Sequence, residues 1–372
     1  MTDTSPLALP SSDILAHITD VHCHPTDAPG GVSTSSMQQL GIHICAMSSG
    51  PHDQEKVKAL ATAYPEKATP AFGYHPWFCH LISTERSLGL ERSQGMSEKE
   101  RHYRYLFLPS TETLSEEKSQ KLEAQFIELL EHLPDPTPIS ATLSTLQSNL
   151  ESFPNAMLGE VGLDRIFRVP LDYFSSPRTL TPFQIPLEHQ LDVLEAQLEL
   201  AIELGRNVSM HSVKSQQATV GLLDKIQKKH GKEKWNKISV DMHSCGLSSE
   251  TWRDLEKRHA NVFISLSTVI NTKQANLRDL ISRCSPDRLL VESDYNNIDM
   301  VTPQTWDMVQ LVSEVRGWPV ETEWKDEGDI SPGDFGVIRR LERNWKTFRD
   351  GNHPVKGKSS KVIDFGSEDS ES

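Results

Sequence analysis

Short apolar segments alternate with longer amphipathic stretches along most of the chain. Eight of these segments are rich in apolar and β-branched residues, and they cover residues 17–22, 43–49, 68–74, 156–162, 207–212, 237–243, 261–267 and 288–294. Most of the stretches between them have the spacing of amphipathic helices. This alternation is typical of parallel strands joined by helices.

The clearest predicted helix covers residues 186–205. Its apolar residues recur at three- and four-residue steps, at Leu187, Leu191, Leu194, Leu198 and Ile202. Gly205 is placed to end this helix. Eight strand-helix units predict an α/β fold of the TIM (β/α)8 barrel type. A doubly wound open sheet is the alternative, but no glycine-rich phosphate loop follows the first strand.

One connection is much longer than the others. Residues 78–140 form a charged, Ser- and Glu-rich insertion after the third strand, within which residues 119–133 have helical spacing. Loops of this length are usually functional or disordered. Two interpretations stay open, a partly ordered excursion over the barrel mouth and a mobile acidic insert. We expect an N-terminal extension over residues 1–16, a barrel over 17–350 and a disordered tail over 351–372.

Composition restricts the partners and the cellular location. The net charge of −14 argues against a long duplex footprint, although bound cations in a pocket would still attract a phosphate. No apolar run approaches the ~20 residues of a membrane span, and the start lacks the features of a signal peptide. We therefore expect no membrane association and a cytoplasmic or nuclear location. The five cysteines lack a CxxC spacing, which predicts reduced, mostly buried thiols.

Residues that bind metals well recur at one end of the predicted strands. They are His22, His24, Glu160, His211, His243 and Asp294. Because the carboxyl ends of barrel strands meet at one rim, these side chains are expected to lie close together. Side chains two apart on a strand point the same way, so the first two histidines can share an ion. The pattern predicts a site for divalent metal at this rim.

Several of these segments, taken in order, carry a resemblance to a known family. The segments "TDVHCH", "FGYHPW" and "GEVGLD", the strand of His211, and then "DMHSCG" and "ESD" resemble the TatD family of metal-dependent deoxyribonucleases in the amidohydrolase superfamily. The match extends over about residues 17–348 and includes "ERNWKTF" near its end. The long insertion is similar to expansions in fungal members of the family.

The resemblance implies a TIM barrel with two divalent ions, which would be Mg²⁺, Mn²⁺ or Zn²⁺. The six residues named above match the family's ligands. In chain order, the first two histidines bind one ion, the glutamate bridges both ions, the next two histidines bind the second ion, and the aspartate completes the coordination. Glu160 and Asp294 are also the implied catalytic residues, with Asp294 as the general base.

The resemblance implies fewer residues that contact the substrate, because the chain departs from the family's pattern at some of those positions. His75, in "GYHPW", matches a loop histidine that faces the substrate phosphate in this family. The family places an arginine two positions after the histidine of the fifth strand, whereas this chain has Val213 there and Lys214 one further along. A lysine would make a less directional phosphate contact. The family's proline-containing turn after the last ligand is also absent, since Tyr295 and Asn296 follow instead.

Three functions remain open from the sequence. The first is a metal-dependent hydrolase that cleaves phosphodiester bonds at DNA ends or in small phosphodiesters. The second is a metal-retaining barrel that binds a protein partner through the acidic insert or tail. The third is hydrolysis of a C–N or ester bond, since the same ligands serve those reactions in the superfamily.

Overall fold

The structure is a computed structural model, and the residues it describes are 9–28, 30–89, 95–108, 115–326, 328 and 330–355. The predicted disordered tail lies outside the described residues from residue 356 onward. Residues 1–8 of the predicted N-terminal extension also lie outside them, as do residues 90–94 and 109–114 of the insertion.

Ten strands are present in the described part of the chain: β1 Thr19–Cys23, β2 His43–Met47, β3 Ala68–Phe72, β4 Ile82–Ser83, β5 Thr137–Pro138, β6 Met157–Asp164, β7 Val208–Val213, β8 Val240–His243, β9 Val262–Ser267 and β10 Leu289–Glu292. Eight of them form one parallel sheet in the order β1-β2-β3-β6-β7-β8-β9-β10. The first and last strands of this order are joined by backbone hydrogen bonds just beyond β10. Asp294 N–H donates to His22 O at 3.0 Å and His24 N–H donates to Tyr295 O at 2.9 Å. The predicted TIM barrel is confirmed, with each strand within a few residues of its predicted position.

Helices fill the connections between the strands. They are α1 Ser12–Leu15, α2 Thr34–Gln39, α3 Gln54–Ala63, α4 Glu85–Leu88, α5 Glu98–Phe107, α6 Glu116–His132, α7 Ile139–Glu151, α8 Leu187–Leu204, α9 Gln216–Trp235, α10 Ser249–Arg258, α11 Thr268–Asn271, α12 Leu277–Arg283, α13 Ile298–Arg316 and α14 Val337–Asp350. The predicted helix 186–205 is confirmed as α8, and Gly205 follows it in the left-handed conformation with φ of 65°. Among the described residues, none of these helices has the length and apolar character needed to cross a bilayer.

The barrel interior is apolar at the amino ends of the strands. Met157, Phe263 and Leu290, near the starts of their strands, belong to one buried apolar cluster with Trp345 and Phe348 of α14. These side chains close that end of the barrel. The polar strand residues are therefore left at the carboxyl ends, where barrel enzymes carry their chemistry.

The described part of the insertion packs against the barrel as a small second layer. Tyr103 of α5 and Phe126 and Leu129 of α6 belong to an apolar cluster with Phe183 and Val193, which lie after β6. Tyr103 and Phe126 are fully buried. A parallel pair of short strands, β4 and β5, ties the start of the insertion to its end. Of the two interpretations left open by the sequence, these helices favour the ordered excursion.

Three histidines are buried where the insertion meets the barrel. Within this group, His102 places its Nδ1 2.8 Å from Ser87 Oγ and its Nε2 2.8 Å from His80 O, while His189 Nε2 lies 2.9 Å from Cys79 O. Burial lowers the pKa of His80 to about 3 and of His102 to about 4, and it also lowers the pKa of His189. All three are therefore neutral in the folded protein near neutral pH.

Acidification is expected to destabilise the packing of the insertion. In the unfolded chain a histidine has a pKa of about 6.5, whereas His102 in the folded protein has a pKa of about 4. Between these two pH values the unfolded state binds a proton that the folded state does not bind, so the free energy of unfolding decreases as the pH falls from about 6.5 to about 4. The expected loss of unfolding free energy between pH 7 and pH 5 is roughly 1–2 kcal/mol for His102. Urea unfolding at the two pH values measures it. His102→Gln should lose less stability on acidification than wild type, and the exposed His132→Gln serves as the control. Identical pH dependence in wild type and His102→Gln would contradict this prediction.

Candidate metal centre

The six metal-ligating residues expected from the sequence come together at the carboxyl end of the barrel. They come from β1, β6, β7, β8 and the segments directly after β1 and β10: His22, His24, Glu160, His211, His243 and Asp294. Each is buried or nearly so. No side chain of this set lies apart from the others.

Glu160 lies at the centre of the group. Its Oε2 is 3.1 Å from His24 Nε2 and 3.6 Å from His22 Nε2. Its other oxygen, Oε1, is 2.8 Å from His211 Nδ1 and 2.9 Å from His243 Nε2. The two carboxylate oxygens therefore face two different pairs of histidines. This is the arrangement required of a carboxylate that bridges two cations.

Asp294 lies beside the first histidine pair. Its Oδ1 is 3.7 Å from His24 Nε2 and 3.9 Å from His22 Nε2. Its backbone is in the left-handed region, with φ of 51°, which aspartate and asparagine tolerate better than other side chains with a Cβ. The strand has already ended at Glu292, so this turn points the carboxylate of Asp294 back into the centre.

His75 also reaches the central carboxylate. Its Nε2 lies 3.3 Å from Glu160 Oε1. Its Nδ1 accepts the backbone N–H of Trp77 at 3.1 Å, and a backbone amide can only donate. The proton of neutral His75 therefore resides on Nε2, which makes that nitrogen a donor rather than a metal ligand. Burial lowers the pKa of His75 to about 4, so the ring is neutral near pH 7.

Burial and neighbouring charges shift the pKa values of the groups in the centre in different directions. Burial would raise the pKa of Glu160, but the neighbouring histidines hold it well below its usual range. Burial lowers the pKa of His22 to about 3. At His24 the carboxylates of Glu160 and Asp294 outweigh burial and raise the pKa to about 9. Burial also raises the pKa of Asp294 to about 6. A buried, ionised carboxylate among imidazoles favours a bound cation.

Two glycines allow the strands to approach closely here. Gly162 has φ of 153°, and a Cβ at this position would lie only 2.0 Å from His211 O. A Cβ at Gly73 would meet Glu160 O at 2.8 Å. The glycines in "GEVGLD" and "FGYHPW" are therefore needed to place His211 and His75 next to Glu160.

Sequence reasoning missed two further carboxylates in the centre. Glu292 Oε1 lies 3.4 Å from His243 Nδ1, and Asp164 Oδ2 lies 3.5 Å from His211 Nε2. Each is thus next to the ring nitrogen that does not face Glu160. Strand alternation could have found them, because Asp164 is four residues after Glu160 and Glu292 is two residues before Asp294.

Lys214 is placed differently from the other predicted site residues. Its side chain is exposed and lines an open groove with Gln217, Ser248 and Thr251, beside the first turns of α9 and α10. Within the described residues it makes no ion pair with the carboxylates of the centre. The structure brings His75 into the cluster and leaves Lys214 outside it.

The donor atoms fit divalent metal. Three groups of donors around the centre each lie within 4.8 Å of one another: His22 with His24 and Glu160, His75 with Glu160 and His211, and His22 with His243 and Glu292. Imidazole nitrogen with carboxylate oxygen is a donor set suited to Zn²⁺ and Mn²⁺, and the carboxylates suit Mg²⁺. Because His75 Nε2 carries a proton, the group that contains His75 is the weakest of the three as a metal site.

Comparisons with known proteins agree with this chemistry. A family model described as TatD related DNase matches residues 19–323. The chain is 29% identical to the Cut9-interacting protein scn1 of Schizosaccharomyces pombe, over 82% of this chain and 94% of the relative. It is also 29% identical to an uncharacterized deoxyribonuclease of Saccharomyces cerevisiae, over 88% of this chain and 98% of the relative.

A solved structure has the same fold. A TatD homologue from Escherichia coli K12 superposes with a TM-score of 0.54 at 19% sequence identity. The match covers 91% of this chain and 100% of the bacterial chain. At this identity the similarity concerns the barrel itself.

Proposed function

The chain belongs to the family of TatD-related DNases, and from this premise we propose that it uses two divalent metal ions to cleave phosphodiester bonds at the ends of DNA. The observation that carries the proposal is the position of Glu160, with one carboxylate oxygen toward each pair of histidines. A single metal site would not need a carboxylate presented to both sides.

The proposed ligands follow from these distances. His22, His24 and Asp294 would hold one ion with Glu160 Oε2, and His211 and His243 would hold the other ion with Glu160 Oε1. When bound, two such ions would polarise the phosphodiester and lower the pKa of the attacking water. Mg²⁺, Mn²⁺ and Zn²⁺ all fit this description of the donors.

Two residues of the chain would handle protons and the substrate. Asp294 would accept the proton of the attacking water, because its carboxylate is at the centre and is not fixed by a hydrogen bond from a side chain in the described residues. His75 would donate its Nε2 proton to a phosphate oxygen. The tautomer set by the Trp77 amide supports this role for His75 over a role as ligand.

The two additional carboxylates would act as positioning residues. A ligating histidine commonly donates its second ring N–H to a carboxylate, which fixes the tautomer and the ring orientation. Glu292 would do this for His243, and Asp164 for His211. Glu292 is itself held by hydrogen bonds from Ser244 and Ser265.

Lys214 would contact the substrate farther from the reacting phosphate. Its exposed position beside α9 and α10 supports a contact to the backbone of a DNA strand as that strand leaves the centre. An exposed lysine contributes mainly a point charge, so the contact would be salt-sensitive. The family pattern has an arginine two positions after the histidine that corresponds to His211, and this chain has Val213 at that position.

A second candidate function is binding of a protein partner. The name of the fission yeast relative describes it as an interactor of Cut9, and this chain matches nearly all of that relative. The acidic insertion supplies a surface for such a contact. This function is compatible with a retained metal centre and does not replace it.

End-labelled DNA tests the proposed function. With added Mg²⁺, Mn²⁺ or Zn²⁺, the protein is expected to shorten linear single-stranded DNA progressively from an end and to leave circular single-stranded DNA intact. A panel of small phosphodiesters, amides and lactones is measured in parallel. Cleavage of the circle would contradict the end specificity. Turnover of amides or lactones alone would instead assign the chain to C–N or ester hydrolysis.

A further inference from the structure

An aromatic cavity lies next to the metal centre. It has a volume of about 290 Å³ and is lined by the segments after β2 and β3, the loop between β6 and α8, and the end of α6 with the residues that follow it. Its rings contact one another in pairs. Trp77 stacks on Phe167 with centroids 5.1 Å apart, Phe78 meets Tyr173 edge-on at 4.7 Å, and Tyr173 meets Phe174 edge-on at 5.2 Å. Phe174 is 69% exposed although it belongs to this group.

Trp77 connects the cavity to the centre. Its Nε1 donates to Asp164 Oδ2 at 2.7 Å, and its ring lies 4.7 Å from the ring of His75 and 6.5 Å from that of His211. The same indole is therefore a wall of the cavity and a neighbour of His75, which would contact the substrate phosphate, and of His211, a proposed metal ligand.

The charges of the cavity indicate what it can hold. Among the described residues that line it there is no lysine or arginine, and the only carboxylate is Asp172. Three histidines, His52, His80 and His132, also line it, and the guanidinium of Arg178 stacks on the ring of Tyr173. With no lysine or arginine in the lining itself, the mostly aromatic and apolar walls suit a neutral planar ring better than a phosphate. Leu133 and Pro134, which follow α6, also line the cavity, so the insertion itself forms part of it.

We propose that this cavity is a nucleobase subsite, which takes the base of the nucleotide next to the bond that is cleaved. The inference rests on the proposed phosphodiesterase function and specifies its substrate as a base-bearing nucleotide rather than any phosphodiester. Aromatic side chains bind bases by stacking, with little dependence on base identity. Phe174 provides an exposed ring for this stacking, in a cavity that shares Trp77 with the surroundings of the centre.

Two matched DNA substrates test the subsite. They are end-labelled single strands that differ only in whether the terminal nucleotide carries a base or is abasic. Wild type is expected to cleave the base-bearing strand with a kcat/KM roughly tenfold higher or more. Phe174→Ala should bring the two rates close together, and Phe174→Trp should preserve the preference. Leu180→Ala, which removes another exposed apolar side chain of the same loop outside the cavity, should behave as wild type.

Equal cleavage of the two strands by wild type would overturn the subsite, as would an unchanged preference in Phe174→Ala. If the protein cleaves neither strand, the proposed function is wrong. The subsite is then tested by calorimetry, which measures the binding of deoxyadenosine monophosphate and of 2-deoxyribose 5-phosphate. Tighter binding of the nucleotide by roughly tenfold, lost in Phe174→Ala, would support the subsite without the nuclease function. Equal affinities for the two compounds would overturn the nucleobase subsite. An apolar segment of a protein partner would then be the better candidate for the occupant of the cavity.

Discussion

Asp294→Asn is expected to slow hydrolysis by ~10²–10⁴-fold while most of the bound metal is retained. Asparagine keeps the size of the side chain and one oxygen that can ligate, but it cannot accept the proton of the attacking water. The left-handed backbone at this position, with φ of 51°, suits asparagine as well as aspartate, so no fold defect is expected. Single-turnover rates and metal content of the same preparation measure the two effects separately.

The control for this variant is Asp299→Asn, which makes the same change at an exposed position in the first turn of α13. It should keep the rate of wild type. If wild type and Asp294→Asn are equally slow on DNA and on the small-substrate panel while both hold their metals, the enzyme function fails and protein binding becomes the better account.

Glu160→Gln is expected to remove the metal centre most completely. The two oxygens of Glu160 lie 2.8 to 3.6 Å from the four histidines proposed as ligands, so the loss of its charge affects both proposed ion sites at once. Removing a residue that only hydrogen-bonds to a metal ligand typically lowers the affinity for the metal by ~10–100-fold. Removing a ligand that both ions share should lower the affinity at each site by at least as much. We expect the metal content to fall from about two ions per chain to below one.

The matched control is Glu199→Gln, which removes a carboxylate of α8 that pairs with Lys229 and His230 on the outer face of the barrel. It should leave the metal content unchanged. Full occupancy of both sites in Glu160→Gln would show that the bridging role is wrong, even if the family assignment holds.

The barrel could be predicted because its strands are buried on both faces. Parallel strands of this kind give continuous apolar runs, and the intervening helices give the three- and four-residue spacing seen in α8. The packing of the insertion could not be predicted. Phe126 and Leu129 show helical spacing in the sequence, but their partners Phe183 and Val193 are more than fifty residues away and lie in a loop and a helix of the barrel.

The candidate ligands could be predicted because strand ends of a barrel converge on one rim. His22 and His24 were the clearest case, since side chains two apart face the same way and their Nε2 atoms lie 3.1 Å apart. Glu292 and Asp164 follow the same alternation of side chains. They were overlooked because each lies in a motif in which another carboxylate, Asp294 or Glu160, was already taken as the metal ligand. Lys214 could not be placed from sequence, because its direction depends on a left-handed turn with φ of 52° after β7.

A titration of metal-free protein with Mn²⁺, in which bound metal and cleavage of end-labelled DNA are recorded together, tests whether the centre is a two-metal nuclease site. We expect cleavage to be absent without metal and to reach its maximum only as the second ion binds, at about two ions per chain. The same titration of the double variant His22→Ala, His24→Ala should give reduced binding and no cleavage. Cleavage without metal, or two bound ions with no hydrolysis of DNA or of small phosphodiesters, would contradict a two-metal nuclease site.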